Sequence, residues 1–181
     1  MQVRVADIKE EGRDLAADEA IAGYQDLLAL QDGGEAEFLA PLSIRLHVVR
    51  EFDHIRVKGT VQTVVRLNCS RCLSDFTRDI VSGFTIFYSP AGDIPMDEEV
   101  ELAEEDLVSV TYVGDEIDFT HEIAEQVIME LPYKPLCQAE CQGLCATCGA
   151  DLNTNPCTCP PAGAGFAFSA LKNLTVARKG E

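Results

Sequence analysis

Between Leu42 and Leu67, hydrophobic residues occupy every second position. Leu42, Ile44, Leu46 and Val48 alternate with Ser43, Arg45 and His47. After Glu51-Phe52-Asp53, a second run places Ile55, Val57, Gly59, Val61, Thr63, Val65 and Leu67 between Arg56, Lys58, Thr60, Gln62 and Arg66, with Val64 breaking the pattern. Residues two apart on a strand share a face, so each run predicts a strand with one buried and one wet side. Two such runs joined by a short turn predict an antiparallel hairpin. A third run, over residues 76–88, extends the sheet and puts Cys69 and Cys72 in the turn between the second and third strands. Residues 1–8 alternate Val3 and Val5 with Gln2 and Arg4, which predicts a short strand. Ile21, Tyr24, Leu27 and Leu28 change to helical spacing, so a helix over residues 18–30 is expected, capped by Asp18 and ended by Gln31-Asp32-Gly33-Gly34. Downstream, residues 107–113 read as a strand and Gly114-Asp115 as a turn. A helix over 121–131, capped by Thr120 or Asp118, gathers Ile123, Val127, Ile128 and Leu131 on one face before Pro132 and Pro135 stop it.

The expected fold class is α+β: an antiparallel sheet with a few helices and a cysteine-rich, zinc-binding C-terminal segment. Residues 1–135 form the sheet domain with its C-x-x-C turn, and 136–160 a zinc segment packed on it. Residues 161–181 hold a flexible link and a terminal helix over 166–176, with Phe168, Leu171 and Leu174. With 181 residues, 46 % of them hydrophobic and 25 % charged, the composition is that of a soluble globular protein. No apolar run approaches the roughly 20 residues of a membrane span. The N-terminus lacks the apolar stretch of a secretory leader. Eight cysteines without such a leader point to a reducing compartment, the cytoplasm, where paired thiols hold metal more often than they form disulfides.

Six of the eight cysteines lie within 23 residues: Cys137, Cys141, Cys145, Cys148, Cys157 and Cys159. The others form Cys69-Ser70-Arg71-Cys72. Close thiol pairs set in turns suit a tetrahedral metal, which takes two ligands from each of two turns. The spacing suggests a zinc site of Cys145, Cys148, Cys157 and Cys159, and a second of Cys69, Cys72, Cys137 and Cys141. One or two zinc ions are therefore expected. An alternative lets Cys137 and Cys141 join the C-terminal cysteines in a six-ligand arrangement. A dithiol catalyst is disfavoured, because Cys69-x-x-Cys72 lies between antiparallel strands rather than opening a helix in a βαβ setting. Four thiolates on one metal also leave no open catalytic position.

The chain carries a net charge of −17, which repels nucleic acid and membranes and attracts basic partners. Residues 45–78 are the exception, with seven basic residues against three acidic ones, whereas residues 79–133 contain no Lys or Arg. Arg45 and His47 share a strand face, as do Arg56 and Lys58. With Arg66 and Arg71 they can form a positive patch that touches RNA phosphates without reading sequence. The nucleic-acid-binding candidates are thus Arg45, Arg56, Lys58, Arg66 and Arg71. Residues 89–106, with acids from Asp93 to Asp106, read as a mobile loop that can dock a basic partner. His47, His54 and His121 are scattered, with no catalytic triad order, although His121 can replace a metal ligand. No catalytic residue is assigned.

The ordered motifs resemble the YceD family. Asn68-Cys69-Ser70-Arg71-Cys72-Leu73 is similar to its C-x-R-C-L element. Leu131-Pro132-Tyr133-Lys134-Pro135-Leu136-Cys137 is similar to L-P-x-x-P-L-C. The stretch from Cys141 through Gly143-Leu144-Cys145, Cys148-Gly149 and Leu152-Asn153 resembles C-x-G-L-C-x-x-C-G-x-x-L-N, and Cys157-x-Cys159 its closing C-x-C. Many members carry Asp-Pro-Arg before the terminal helix, where this chain reads Gly163-Ala164-Gly165-Phe166. The resemblance implies a large ribosomal RNA subunit accumulation protein: bacterial, cytoplasmic, needed for normal 23S rRNA levels and without a described catalytic activity. Its expected partners are 23S rRNA or its precursor and large-subunit ribosomal proteins. An enzyme acting on thiols or nucleic acid, or a chaperone for a basic ribosomal protein, are the competing readings.

Overall fold

The computed structural model describes residues 1–52, 54–91 and 109–159. In chain order its elements are β1 (Gln2–Arg4), β2 (Arg13–Glu19), α1 (Gln25–Asp32), β3 (Glu37–Phe38), β4 (Leu42–Glu51), β5 (His54–Asn68), β6 (Asp75–Pro90), β7 (Ser109–Tyr112), β8 (Glu116–Asp118) and α2 (Thr120–Glu130). Short 3-10 turns at Val5–Asp7 and Ile21–Gly23 join some of them. One sheet has the order β2-β4-β5-β6-β7, with β3 paired to β5 beyond the end of β4. β1 and β8 make a separate ribbon.

The predicted hairpin is the middle of this sheet. In its register Ile44 lies opposite Val61, Leu46 opposite Gly59 and Val48 opposite Val57. β6 continues the rows, with Ile80 opposite Thr63 and Ile86 opposite Val57. The alternating positions therefore form one continuous apolar face. Tyr24, Leu27, Ile123, Ala124 and Val127 of the helical segments belong to the same buried cluster, as do Val3 of β1 and Ile117 of β8. Burial of each large aliphatic contributes about 1.5–3 kcal/mol, so this face dominates the stability of the fold. Thr63 and Ser82 are buried polar members of this face: the Thr63 hydroxyl donates to the Ala40 carbonyl at 2.9 Å and the Ser82 hydroxyl to Gln126 Oε1 at 3.4 Å. The opposite face, carrying Arg45, Lys58, Thr60, Gln62 and Thr85, is exposed.

Several elements differ from expectation. Asp18 does not cap a helix; it pairs with Ser43 within β2, and the helix begins at Gln25. The open edge of β4 recruits Arg13–Glu19, and a 3-10 turn separates that strand from α1. β7 runs parallel to β6, so the sheet is mixed rather than antiparallel. The chain leaves β6 at Pro90 and pairs again from Ser109, and a connection of that length permits a crossover where a short turn does not. β8 was not expected, because its three residues are too few to show a period. The strand expected over residues 1–8 shortens to Gln2–Arg4. Most of the expected acidic loop, the link at 160–165 and the terminal helix at 166–176 lie outside the described residues. No described helix is long and apolar enough to cross a membrane.

Gly59 sits on the buried face for a steric reason. A Cβ there would lie 2.5 Å from Phe84 Cζ and 2.6 Å from Leu46 Cδ2, because side chains from both neighbouring strands close over it. Gly59→Val is expected to lower stability by about 1–3 kcal/mol, measured as a drop in the urea midpoint. An unchanged midpoint would mean that the Phe84 ring swings aside without loss of packing.

Candidate metal centres

The two C-x-x-C turns have the same backbone geometry. In the first, the Leu73 N–H donates to the Cys69 carbonyl at 2.9 Å and the Cys69 N–H to the Ser74 carbonyl at 2.9 Å. In the second, the Gly149 N–H donates to the Cys145 carbonyl at 2.9 Å and the Cys145 N–H to the Ala150 carbonyl at 2.8 Å. The third residue of each turn aims its N–H at the leading sulfur: Arg71 at Cys69 Sγ, 3.5 Å, and Thr147 at Cys145 Sγ, 3.4 Å. The residue after the second cysteine is left-handed in both, with φ 60° at Leu73 and 73° at Gly149. Glycine adopts that conformation freely, while for leucine it is strained.

The turns bring the eight thiols into two groups of four. Cys69, Cys72, Cys137 and Cys141 form one, and Cys145, Cys148, Cys157 and Cys159 the other, with the ligand atoms of each within 4.8 Å of one another. In the first group, Cys69 and Cys141 Sγ are 3.7 Å apart and Cys72 and Cys137 Sγ 3.6 Å. A tetrahedron with metal–sulfur bonds of about 2.3 Å has edges of about 3.8 Å, so this donor set has the size and chemistry for zinc. The first group is mostly buried and links the β5–β6 turn to the segment after α2. The second is built wholly from residues 145–159, and its Cys148 is exposed.

Other polar groups hold these sulfurs. The Asn153 amide donates to Cys141 Sγ at 3.5 Å and to Asp151 Oδ1 at 2.6 Å, while its Oδ1 accepts from the Gln142 N–H at 2.8 Å. Ser74 Oγ lies 3.0 Å from Cys72 Sγ. Neither residue was singled out from sequence. Asn153 could have been found as the last residue of the quoted C-x-G-L-C motif, and Ser74 only by its place after the first turn.

The electrostatics of the thiols follow from these contacts. Burial works against ionising Cys69, but N–H groups from Cys72, Cys137 and Arg71 outweigh it and bring the thiol down to about 6. Cys145 is likewise held at about 6 by the Cys148 and Thr147 N–H groups. Burial, then the surrounding thiols, push Cys137 up to about 12. Neighbouring Cys148 and Cys157 push Cys159 up to about 12. One thiol per group thus ionises readily, and a full set of thiolates calls for a cation among them.

The five basic candidates separate. Arg71 lies in the first turn, donating to the Cys141 carbonyl at 2.8 Å and accepting the Leu144 N–H on its own carbonyl at 3.2 Å. It therefore docks the cysteine segment onto the turn. Gly143 follows the same contact: its φ is 75°, and a Cβ would lie 3.1 Å from the Arg71 carbonyl oxygen. Arg56 pairs with Glu51 at 2.5 Å and Arg66 with Glu37 at 2.7 Å. Arg45 and Lys58 keep no ion-pair partner among the described residues. His47 Nδ1 lies 2.7 Å from Asp14 Oδ1. His121 faces Asp26 and Glu125 and belongs to neither thiol group.

Comparison with known proteins adds a family. The family model described as Large ribosomal RNA subunit accumulation protein YceD matches residues 57–175. A Zea mays protein named Large ribosomal RNA subunit accumulation protein YCED homolog 1, chloroplastic, is 28 % identical over 174 residues, covering 83 % of this chain and 58 % of the relative. The Arabidopsis thaliana protein of the same name is 26 % identical, covering 74 % of this chain and 48 % of its own length. An uncharacterized Mycobacterium tuberculosis protein is 32 % identical over 131 residues, covering 72 % of this chain and 58 % of the relative. The chain thus spans about half to three-fifths of the length of these relatives. No solved structure matches it.

The strained Leu73 yields a direct expectation. Leu73 is 67 % exposed, so little packing offsets the left-handed backbone. Leu73→Gly is expected to raise stability by about 1 kcal/mol, read as a higher urea midpoint. A lower midpoint would show that the side chain packs in solution.

Proposed function

The chain belongs to the YceD family, and from that premise we propose that it is a non-enzymatic ribosome biogenesis factor supporting 23S rRNA accumulation and large-subunit assembly. In this reading it acts in the cytoplasm and carries two zinc ions, one per thiol group. The observation that carries the proposal is the pair of closed four-thiol clusters in a chain matched by a family described by its part in large ribosomal RNA accumulation. Four thiolates complete a tetrahedral zinc and leave no position for water or substrate. Zinc would then offset two of the four thiolate charges in each group and hold the fold.

Residues 1–135 are the sheet domain in this account, 136–160 the zinc segment and 161–181 the tail. Cys69, Cys72, Cys137 and Cys141 staple the segment to the sheet, while Cys145, Cys148, Cys157 and Cys159 fold the segment on itself. Of the basic candidates Arg45, Arg56, Lys58, Arg66 and Arg71, the proposed rRNA-facing cations are Arg45 and Lys58, because Arg56 and Arg66 are paired with Glu51 and Glu37 and Arg71 is engaged at the cysteine turn. The net charge of −17 also supports contact with a basic large-subunit protein, up to the role of a chaperone for it.

Two experiments test this account. Freshly purified protein is expected to hold two zinc ions per chain, with Cys72→Ser and Cys148→Ser each reducing the count by one. Cys72→Ser should also lower the thermal midpoint of the sheet domain, and Cys148→Ser should hardly change it, because its cluster lies within the C-terminal segment. Absence of metal together with a reversibly oxidised dithiol would replace the scaffold with thiol-redox chemistry. In cells, depletion of the protein is expected to lower mature 23S rRNA relative to 16S rRNA. An unaltered ratio would remove the biogenesis role.

A further inference from the structure

The exposed face of the sheet contains a groove of about 570 Å³. Its lining comes from two adjacent outward rows: Asp14, His47, Lys58 and Thr85, and next to them Ala16, Arg45, Thr60 and Gly83. Leu46 and Phe84, from the row between, also line it. The flanking inward residues Val48, Val57, Ile44 and Val61 do not, which places the groove on the outer side. Ala16 on β2, Thr60 on β5 and Gly83 on β6 are small, and their lack of bulk on either side of Arg45 opens the floor.

We propose that this groove seats the sugar–phosphate backbone of a single RNA strand, with Arg45 and Lys58 contacting phosphate oxygens. The inference rests on the ribosomal RNA reading above and names the part of the chain that would make the contact. Charge is the first argument. Arg56 and Arg66 are already matched by Glu51 and Glu37, Arg71 is occupied at the cysteine turn, and His47 faces Asp14. Arg45 and Lys58 are the outward sheet cations without such a partner among the described residues, and both border the groove.

Register supplies the second argument. Arg45 is opposite Thr60, and Lys58 is opposite His47, so the two cations are diagonal neighbours. Such positions stand about 7–8 Å apart, near enough for both to reach one phosphate or two successive ones. The exposed hydroxyls of Thr60 and Thr85 border the same space and can donate to phosphate oxygens. Contacts of this type position a strand without reading its bases. The chain's overall negative charge confines anion binding to such a local patch, since exposed charges are screened beyond about 8–10 Å at ordinary salt. Acidic residues further along the outer face, Asp18, Asp75 and Asp79, mark its limit.

The test measures binding of zinc-loaded full-length protein to a transcribed large-subunit rRNA fragment, and to an unrelated single strand, at several salt concentrations. Arg45→Gln/Lys58→Gln is compared with Arg13→Gln/Lys134→Gln, which removes the same charge at exposed residues outside the groove. The groove variant is expected to bind both RNAs at least tenfold more weakly, and to lower the log–log salt slope by about 1.4 for two lost single-strand contacts. The control should change affinity less than threefold. Equal losses in both variants, or none in the groove variant, would overturn the seat while leaving RNA binding elsewhere on the chain intact. Failure of the folded wild-type protein to bind either RNA would overturn the direct rRNA contact together with the seat. Tighter binding of a polyglutamate peptide through Arg45 and Lys58 would assign the groove to an acidic protein instead.

Discussion

β5 is the strand on which the rest of the arrangement depends. It pairs with β4 along one edge and, beyond that strand's end, with β3, while β6 follows its other edge for fourteen residue pairs. Its alternation is a hard constraint, because a slip of one residue would turn its entire buried set toward water. Once that register is set, the helices have one apolar face to cover and the charged residues one wet face to share. The end of β5 then becomes the first cysteine turn, so the same ladder sets where the C-terminal segment can attach.

The two cysteine turns repeat one solution in different surroundings. Each uses an N–H to the leading sulfur and a left-handed residue after the second cysteine. The second turn has glycine at that place and keeps its thiols within a short, partly exposed segment. The first has leucine, and its thiols complete their set with cysteines from beyond α2. Arg71 is the coupling between them: its guanidinium reaches Cys141 and its carbonyl reaches Leu144, one residue before the second turn begins. A basic residue in a charged stretch thereby serves packing rather than a free positive surface.

Electrostatics on the open face follow a similar economy. Cross-strand placement matches Arg56 and Arg66 with carboxylates, and exposed pairs of this kind add little stability. Their larger effect is to remove candidate anion sites. What remains positive is defined by the absence of a neighbour, and it coincides with the place where small residues leave room for a ligand.

Alternation alone determined the β4–β5–β6 core, because burial on one side of a strand leaves a period-two record in the chain. Helical spacing likewise marked α2, and cysteine spacing marked both turns and suggested two groups of four thiols. β2 and β8 left weaker traces: their pairing depends on an open edge supplied by a distant strand, and short or half-polar segments carry no distinctive period. The parallel direction of β7, the docking role of Arg71 and the contacts of Asn153 were decided only in three dimensions. So was the division of the basic residues, since sequence counts charges, whereas cross-strand register determines which of them meet an opposite charge.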